Sequence, residues 1–292
     1  MTQIITLELR QWILAQAEAG HSRDAILAAM QAAGWARDVA RHALDNTLPQ
    51  ARPEPRPDAA VAPTMPVAQA GGAGARVPEV NLSQSPRLLD AGDRTVEVLT
   101  VMNNPRVVVL GGLLSDEECD ALIAAATPRL ARSLTVQTQT GGEELNPDRT
   151  SNGMFFNRGE SALIARIEER IARLVNWPVD HGEGIQVLHY RPGAEYKPHY
   201  DYFDPNEPGT PTILKRGGQR LATLVMYLNA PACGGGTTFP DVGLEVAPQR
   251  GNAVFFSYDR PQPSTRTLHG GAPVIEGEKW VATKWLREGV FA

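Results

Sequence analysis

The sequence has few cysteines, no excess of basic residues and no long apolar run. Its 292 residues include two cysteines, Cys119 and Cys233, which lie far apart and in no metal-binding spacing. This argues against a disulfide framework and is typical of a protein in a reducing, cytoplasmic compartment. The net charge of −5 argues against a nucleic-acid-binding protein, which would carry a basic face.

Apolar runs are short throughout, and none approaches the roughly 20 residues that a membrane-spanning helix needs. The first 20 residues contain Glu8 and Arg10 and lack the basic start and apolar centre of a signal peptide. We therefore expect a protein that neither carries a signal peptide nor contacts a membrane.

The chain divides into three parts. Residues 1–47 predict three short helices, with Ser22 capping the second and Gly34 following it, and resemble a small ubiquitin-associated module. Residues 48–84 are rich in proline, alanine and glycine and predict a linker without secondary structure. Residues 85–292 are long enough for one catalytic domain.

This last part begins with helical signals. A strand at 107–110 is followed by a helix with a capping box formed by Ser115 and Glu118, and a second helix is predicted at 160–175. The buried stripe of the second helix contains Leu163, Ile167, Ile171 and Leu174, and the predicted solvent face contains Glu168, Glu169 and Arg170.

The segments after Trp177 have the short alternating pattern of β-strands. They are IQVLHY, RLATLVMYLNA, LEVAPQRGNAVFFSY and KWVATKWLRE. Many short strands after a helical layer predict an α+β fold, with a jelly-roll core, also called a double-stranded β-helix, backed by helices.

The stretch HYRPGAEYKPHYD places His199 and Asp201 two residues apart. On a strand, such residues point to the same face, so that an imidazole and a carboxylate project together. Taken alone, this pair is better explained as an ordinary surface pair or a polar strand end. It becomes a metal site only with a third ligand.

His269 is the best candidate for that ligand among the six histidines. It ends a strand-like segment and precedes two glycines, whereas His189 lies within a strand and is expected to be packed in the core. Two histidines and one carboxylate form the ligand set of non-haem Fe(II) oxygenases. The same set occurs in catalytic zinc sites, so a zinc hydrolase is the competing interpretation.

A basic residue near the metal would favour the oxygenase, because it would pair with a dicarboxylate cosubstrate. Lys279 has this potential, since strand alternation places it on the same face as Trp285. Hydroxyl groups of Tyr190, Thr223 or Tyr227 would add hydrogen bonds. The alternative for Lys279 is a solvated lysine at a strand end.

Several segments together resemble the prolyl 4-hydroxylase family of 2-oxoglutarate/Fe(II) dioxygenases. They are DRTSNGMFF, HYRPGAEYKPHYD, RLATLVMYLN, GGGTTFPDVGLEVAPQRGNAVFF and TLHGGAPVIEGEKWVATKWLR, in family order over residues 100–290. The resemblance implies that His199, Asp201 and His269 bind iron and that Lys279 pairs with the distal carboxylate of 2-oxoglutarate. It also implies that Tyr190, Thr223 and Trp285 line the cosubstrate site.

The implied reaction is hydroxylation of a prolyl residue at the 4-position in a peptide or protein, using dioxygen and releasing succinate and CO2. Iron(II) and 2-oxoglutarate are the implied cofactor and cosubstrate, with L-ascorbate as a reductant. The same chemistry on a free amino acid or small molecule, or a non-catalytic binding barrel, remains an alternative. Asp201 favours hydroxylation over halogenation, in which the carboxylate is absent.

Two further expectations concern parts outside the metal site. The long segment 202–220, rich in glycine and proline, is either a plain surface loop or a lid over the substrate. The N-terminal module is expected to recruit a protein partner. A homodimer is also expected, without a specific motif behind it.

Overall fold

The computed structural model describes residues 13, 16–17, 22–33, 35, 40–41, 43–44, 76–132, 134–136, 143–145 and 150–292. The chain separates into two compact units, residues 1–69 and 70–292. Within the described parts, every helix is too short or too polar to cross a bilayer.

In the first unit, helix α1 spans Arg23–Ala32 and corresponds to the second predicted helix. Ser22 caps it as predicted, with its hydroxyl accepting a hydrogen bond from the Ala25 N–H at 3.3 Å. The described core residues of this unit are Ile13, Ile26, Met30, Ala40, Ala43 and Leu44. Most of the first and third predicted helices, and the linker up to residue 75, lie outside the described residues.

The second unit contains three described α-helices and seventeen described strands. Helices α2, α3 and α4 span Asp116–Ala126, Ala162–Leu174 and Thr210–Ile213. The strands are β1 Leu88–Asp90, β2 Thr95–Asn103, β3 Arg106–Gly111, β4 Ala131–Arg132, β5 Leu134–Val136, β6 Glu143–Leu145, β7 Asn152–Phe156, β8 Ile185–Tyr190, β9 Tyr196–His199, β10 Arg220–Tyr227, β11 Cys233–Gly234, β12 Thr237–Phe239, β13 Leu244–Val246, β14 Ala253–Ser257, β15 His269–Gly271, β16 Val274–Glu276 and β17 Lys279–Arg287.

Antiparallel pairing organises these strands into a large and a small sheet. The large sheet has the order β1-β2-β3-β14-β10-β17-β8-β7-β4, and the small one has the order β13-β12-β15-β9. Two-stranded ribbons, β11-β16 and β5-β6, complete the described pairings. This mixture of helices and mostly antiparallel sheets confirms the α+β class and is consistent with the predicted jelly-roll core.

Residue alternation on β17 shows which face of the large sheet packs against the helices and which packs against the small sheet. Trp280 and Ala282 belong to the apolar core that also contains the buried residues of α2 and α3. Val281 belongs to a second core that it shares with Phe239 of the small sheet. The large sheet is therefore covered by helices on one face and by the small sheet on the other, and the second face carries the candidate site.

Both predicted helices of this unit are present. The capping box of α2 forms as expected, because Ser115 accepts from the Glu118 N–H and Glu118 accepts from the Ser115 N–H. In α3, Ile167 and Ile171 are buried as predicted, and Glu169 is exposed. The periodicity therefore located these helices to within about two residues of their ends.

Two other charged residues of α3 contradict the prediction of a solvent face. Glu168 and Arg170 are only 2% and 3% exposed. Arg170 donates to Glu118 at 2.8 Å and to Asp93 at 2.6 Å, and Glu168 accepts from Lys284 at 2.6 Å. The prediction was wrong because a buried charge is stable only with partners, and these partners come from distant segments.

Replacing Arg170 by alanine is expected to lower the free energy of unfolding by about 3–5 kcal/mol, because the buried Glu118 loses its partner. Burial opposes the charge of Glu118, yet hydrogen bonds from Arg170 and the Ser115 N–H lower its pKa to about 2. Arg166→Ala is a matched control, since Arg166 is half-exposed and contacts the same acids at 3.3 and 3.9 Å. Its effect should stay below about 1 kcal/mol in denaturant titrations. Equal effects of the two substitutions would contradict this account.

Two residues near the end of the predicted linker, residues 48–84, make contacts within the second unit. Val80 is 2% exposed and belongs to the core between the large sheet and the helices. The Glu79 N–H donates to the Val175 carbonyl at 2.8 Å. The last residues of the predicted linker are therefore packed on the second unit, although their composition resembles that of the preceding linker.

Candidate metal centre

Two neighbouring strands of the small sheet bring the predicted ligands together. His199 on β9 lies directly opposite His269 on β15 in the antiparallel register. Asp201 follows two residues after His199, just beyond the end of β9. Gly270 permits this close pairing, because a Cβ at that position would lie 2.9 Å from the Tyr196 carbonyl oxygen.

The three side chains converge on one point. Asp201 Oδ1 lies 3.5 Å from His199 Nε2, and Asp201 Oδ2 lies 3.4 Å from His269 Nε2. The potential ligand atoms all lie within 4.8 Å of one another. A cation between them would contact two imidazoles and one carboxylate on one side, leaving its other side open.

Hydrogen bonds orient both imidazoles for this role. His199 Nδ1 lies 2.9 Å from the Lys197 carbonyl oxygen, and His269 Nδ1 lies 2.9 Å from the Thr267 carbonyl oxygen. A carbonyl oxygen only accepts, so each Nδ1 carries the proton and each Nε2 presents a lone pair toward Asp201. Two lone pairs facing a carboxylate repel one another unless a cation lies between them, so these residues fit a divalent metal ion.

The electrostatics of the cluster agree with this arrangement. Burial lowers the pKa of His199, and the neighbouring His269 lowers it further, so the neutral imidazole is favoured. Burial opposes ionisation of Asp201, but positive charge and hydrogen-bond donors at the His269 and His199 nitrogens hold its pKa well below the usual range; with both imidazoles neutral, a bound cation would supply that charge. Asp201 is therefore a carboxylate at neutral pH.

Thr223 on β10 orients the carboxylate from behind. Its hydroxyl donates to Asp201 Oδ2 at 2.7 Å and lies 3.0 Å from the Tyr258 hydroxyl. Since the threonine proton is given to Asp201, Tyr258 donates to Thr223. Burial and the nearby Asp201 raise the pKa of Tyr258 well above its usual value, which keeps this phenol protonated. The series of hydrogen bonds from Tyr258 to Thr223 and from Thr223 to Asp201 therefore holds one carboxylate oxygen in place.

Replacing Thr223 by valine is expected to weaken Fe(II) or Mn(II) binding by about 10- to 100-fold, because groups that orient metal ligands have effects of this size. The side chain keeps its shape, so the free energy of unfolding should change far less. Metal titration of the apoprotein measures this effect. Thr238→Val is a matched control on the small sheet, because the Thr238 hydroxyl bonds the Gly270 carbonyl and not a ligand. Unchanged metal affinity in Thr223→Val would remove the orienting role of Thr223.

A narrow cavity extends from the three ligands into the space between the two sheets. It is lined by all seven residues that the sequence predicted for the site: Tyr190, His199, Asp201, Thr223, His269, Lys279 and Trp285. Tyr227 is buried nearby, but its hydroxyl donates to Thr237 at 2.7 Å. The predicted parity of Lys279 and Trp285 on β17 is confirmed.

Lys279 lies at the inner end of this cavity. It is 3% exposed, and the charge of Glu245 acts on its ammonium group without a direct ion pair. Its Nζ lies 5.4 Å from the ring centre of Tyr190 and 6.0 Å from that of Tyr227. Burial lowers its pKa to about 8. The alternative of a solvated strand-end lysine is excluded, and an anion bound in the cavity would restore the missing partner.

Trp285 closes the other side of the cavity. Its indole Nε1 is buried and has no hydrogen-bond partner among the described residues. The guanidinium of Arg220 lies over its ring, with 4.0 Å from Cζ to the ring centre. Glu183 holds Arg220 through two hydrogen bonds of 2.7 and 2.9 Å. Arg220 and Glu183 were not predicted from the sequence, although they lie beside the site.

A β-bulge explains why Arg220 was missed. The pairing of β10 with β17 shifts register between Arg220 and Ala222. Regular alternation would place Leu221, two residues before Thr223, on the cavity face. The structure instead places Leu221 in the core on the helix side of the sheet, and Arg220 turns toward the metal site. An arginine at the start of an apolar strand was the only signal available in the sequence.

Comparison with known proteins agrees with this geometry. The family model of the 2OG-Fe(II) oxygenase superfamily matches residues 185–287. Probable prolyl 4-hydroxylase 3 of Arabidopsis thaliana is 42% identical over an alignment of 221 residues, and the match covers 68% of this chain and 75% of that protein. Prolyl 4-hydroxylase 5 of the same plant is 41% identical over 221 residues, covering 68% and 74% of the two chains.

Among solved structures, the viral collagen prolyl hydroxylase of Paramecium Bursaria Chlorella virus-1, in complex with 2-oxoglutarate, is 33% identical. The match covers 62% of this chain and 95% of that chain, with a TM-score of 0.47. The sequence identities and the extent of the curated matches identify this chain as a member of the prolyl 4-hydroxylase family of 2-oxoglutarate/Fe(II) oxygenases.

Proposed function

We propose that this protein is a 2-oxoglutarate- and Fe(II)-dependent dioxygenase that hydroxylates a prolyl residue at the 4-position in a peptide or protein. The observation that carries the proposal is the combination of two features in one cavity. His199, Asp201 and His269 converge on one point, and the buried Lys279, which has no direct ion pair, lines the same cavity.

The proposed metal ligands are His199, Asp201 and His269. Their donor set is that of non-haem Fe(II) oxygenases. When bound, iron and 2-oxoglutarate supply the oxidising power: dioxygen and the cosubstrate yield succinate, CO2 and one oxygen atom for the substrate. The protein keeps both Nε2 lone pairs and one carboxylate oxygen aimed at the metal position, through hydrogen bonds from the imidazole Nδ1 atoms and from Thr223.

The proposed cosubstrate residues are Lys279, Tyr190, Thr223 and Trp285. Lys279 supplies a positive charge to a carboxylate that would otherwise be costly to bury. Tyr190 lies directly opposite Lys279 in the pairing of β8 with β17, so both side chains reach the same end of the cavity. Apolar neighbours such as Leu188 and Val281 exclude water from this end, which strengthens the pairing.

The prolyl substrate is proposed from the names of the relatives, and one experiment separates it from the alternatives. The protein is incubated with Fe(II), 2-oxoglutarate, ascorbate and 18O2, with either a proline-containing peptide or free proline. Mass spectrometry should find labelled hydroxyproline in the peptide, and amino-acid analysis should identify the 4-isomer. Labelled free hydroxyproline with unmodified peptide would replace the peptide substrate by an amino acid.

The domain boundaries, the recruiting role of the N-terminal module, the homodimer and the use of L-ascorbate belong to the same proposal. Residues 1–47 form the proposed helical module, 48–84 the linker and 85–292 the dioxygenase domain.

A deletion that tests this division should stop before Val80, because Val80 is buried in the core of the second unit. Removing residues 1–70 is expected to leave turnover of a short peptide within about twofold, since the cavity lies wholly within the second unit. A collapse of peptide turnover would show that the first unit is part of the catalytic fold.

A further inference from the structure

A groove of about 640 Å³ lies beside the metal cavity. We call it the arginine groove, because its lining contains Arg158, Arg216, Arg220 and Arg287, together with the aromatic residues Phe155, Phe156, Phe203 and Phe291. The segment predicted as a lid contributes Phe203, Thr212, Ile213 and Arg216 to this lining. The groove therefore combines strong positive charge with apolar walls.

The groove begins one side chain away from the metal ligands. Trp285 lines the metal cavity and stacks against Arg220, which lines the groove. Arg220 Nη1 also lies 3.4 Å from the Asp201 carbonyl oxygen. On the same side, the Phe155 ring centre lies 6.4 Å from that of Trp285. A bound peptide with one residue at the metal position would therefore place its neighbouring residues along the groove.

The groove is cationic in a protein that is anionic overall. The side chains of its lining include four arginines and one glutamate, Glu183, which gives a formal side-chain charge of 4 − 1 = +3, whereas the side chains of the whole chain sum to −5. Glu183 is occupied by Arg220 at 2.7 Å and Arg287 at 2.9 Å. Glu183 is the single acidic side chain among the described lining residues.

Arg158 and Arg216 carry this charge toward solvent. Arg158 donates to the carbonyl oxygens of Asp180, Gly182 and Phe291. Arg216 donates at 3.0 Å to a main-chain oxygen of Ala292, the last residue of the sequence. These bonds hold the guanidinium groups in position, and those of Arg158 go to peptide carbonyl groups, which do not neutralise its charge. Both residues are exposed, so their guanidinium groups lie at the outer part of the groove.

Carboxylates outside the lining do not compensate for this charge. The Asp180 side chain is 56% exposed, and its Oδ1 lies 4.0 Å from His181 Nε2. Glu288 accepts from the Gln219 N–H at 3.3 Å. Since neither carboxylate lines the groove, a ligand in the groove meets mainly guanidinium groups and aromatic rings.

We propose that the arginine groove selects acidic peptides: the preferred substrate carries aspartate or glutamate within a few residues of the target proline. The carboxylates would pair with Arg216 and Arg158, and apolar or proline side chains between them would pack against Phe203 and Phe291. This inference rests on the proposed function, because it specifies the peptide that the same site accepts.

The test uses three peptides of equal length around one proline, with glutamate, glutamine or lysine at the flanking positions. Binding of each fluorescently labelled peptide to the full-length protein with Mn(II) and 2-oxoglutarate is measured by anisotropy, and hydroxylation is measured separately with Fe(II). The acidic peptide should bind about tenfold more tightly than the glutamine peptide, as expected for one or two charge-assisted contacts. Raising the salt concentration should reduce this preference.

Two charge reversals locate the effect. Arg216→Glu and Arg158→Glu should each weaken binding of the acidic peptide and strengthen binding of the lysine peptide. Arg87→Glu is the matched control, because Arg87 is 83% exposed in its side chain, pairs with Glu97 and does not line the groove. It should leave the order of the three peptides unchanged. Near-ultraviolet circular dichroism and the glutamine peptide show whether each variant is folded.

The outcomes separate this inference from the proposed function. Preferential binding of the acidic peptide that is reversed by Arg216→Glu supports the inference, whether or not any peptide is hydroxylated. If no peptide is hydroxylated, the proposed function alone is overturned. Equal binding and hydroxylation of all three peptides would overturn the inference and leave the function intact. A preference that Arg87→Glu changes as much as Arg216→Glu would also overturn it.

Discussion

Replacing Asp201 by alanine is expected to abolish succinate release from 2-oxoglutarate and to reduce Fe(II) affinity by at least about 100-fold, because the site loses its only anionic ligand. Both histidines face the Asp201 carboxylate, at 3.4 Å from His269 and 3.5 Å from His199. The substitution therefore leaves these two imidazoles without the carboxylate between them. The measurements are metal content after dialysis and succinate formation at saturating 2-oxoglutarate.

Asp259→Ala is the matched control for this substitution. Asp259 is an exposed aspartate that pairs with Arg260 at 2.6 Å and does not line the cavity. It should bind metal and turn over 2-oxoglutarate like the unmodified protein. If Asp201→Ala retains stoichiometric iron and measurable turnover, Asp201 is not a metal ligand and the proposed centre is incorrect.

Replacing Lys279 by methionine is expected to raise the KM for 2-oxoglutarate by about 10- to 100-fold, the effect of losing one charge-assisted hydrogen bond in a buried site. Methionine keeps most of the volume, and the free protein has no ion pair to lose at this position. Metal affinity should be unchanged, because Lys279 is not among the converging ligands.

Lys284→Met is the matched control on the same strand. Lys284 lies on the opposite face of β17 and pairs with Glu168 at 2.6 Å. The substitution leaves Glu168 buried and unpaired, so it should lower the free energy of unfolding without changing the KM for 2-oxoglutarate. If instead both substitutions raise the KM equally, the effect is not specific to the cavity face.

The same lysine predicts a pH dependence. Because its pKa is about 8 in the free protein, the charged form predominates below pH 8 and declines about tenfold per pH unit above it. The KM for 2-oxoglutarate should therefore rise as the pH increases through 8 and beyond. Lys279→Arg keeps its charge in this range, so its KM should lose this dependence. A flat profile for the unmodified protein would show that Lys279 does not pair with the cosubstrate.

The sequence alone predicted most of the residues that the structure brings together in one cavity, because strand alternation is a strong constraint. His199 and Asp201, or Lys279 and Trp285, are separated by even numbers of residues and indeed line the same cavity. The position of His269 followed from its place before Gly270, where the structure shows that a Cβ would meet the Tyr196 carbonyl oxygen. These local rules placed the residues correctly although Asp201 lies beyond the end of β9 and the pairing of β15 with β9 shifts register after His269.

Local rules failed where long-range partners decide the conformation. Arg170 was placed in solvent because its periodicity is polar, yet Asp93 and Glu118 hold it in the interior. Arg220 was missed because a bulge reverses the alternation before Thr223. Neither the distant carboxylates nor the bulge has a signal in the adjacent residues, so only the folded chain reveals them.

The measurement that tests the central claim most directly is succinate formation from 2-oxoglutarate with Fe(II), in the presence and absence of a proline-containing acidic peptide, for the unmodified protein and His199→Ala. The account predicts peptide-stimulated succinate formation, matched one to one by hydroxyproline and lost in His199→Ala. Succinate formation that persists in His199→Ala, or that is never matched by hydroxyproline, would contradict it.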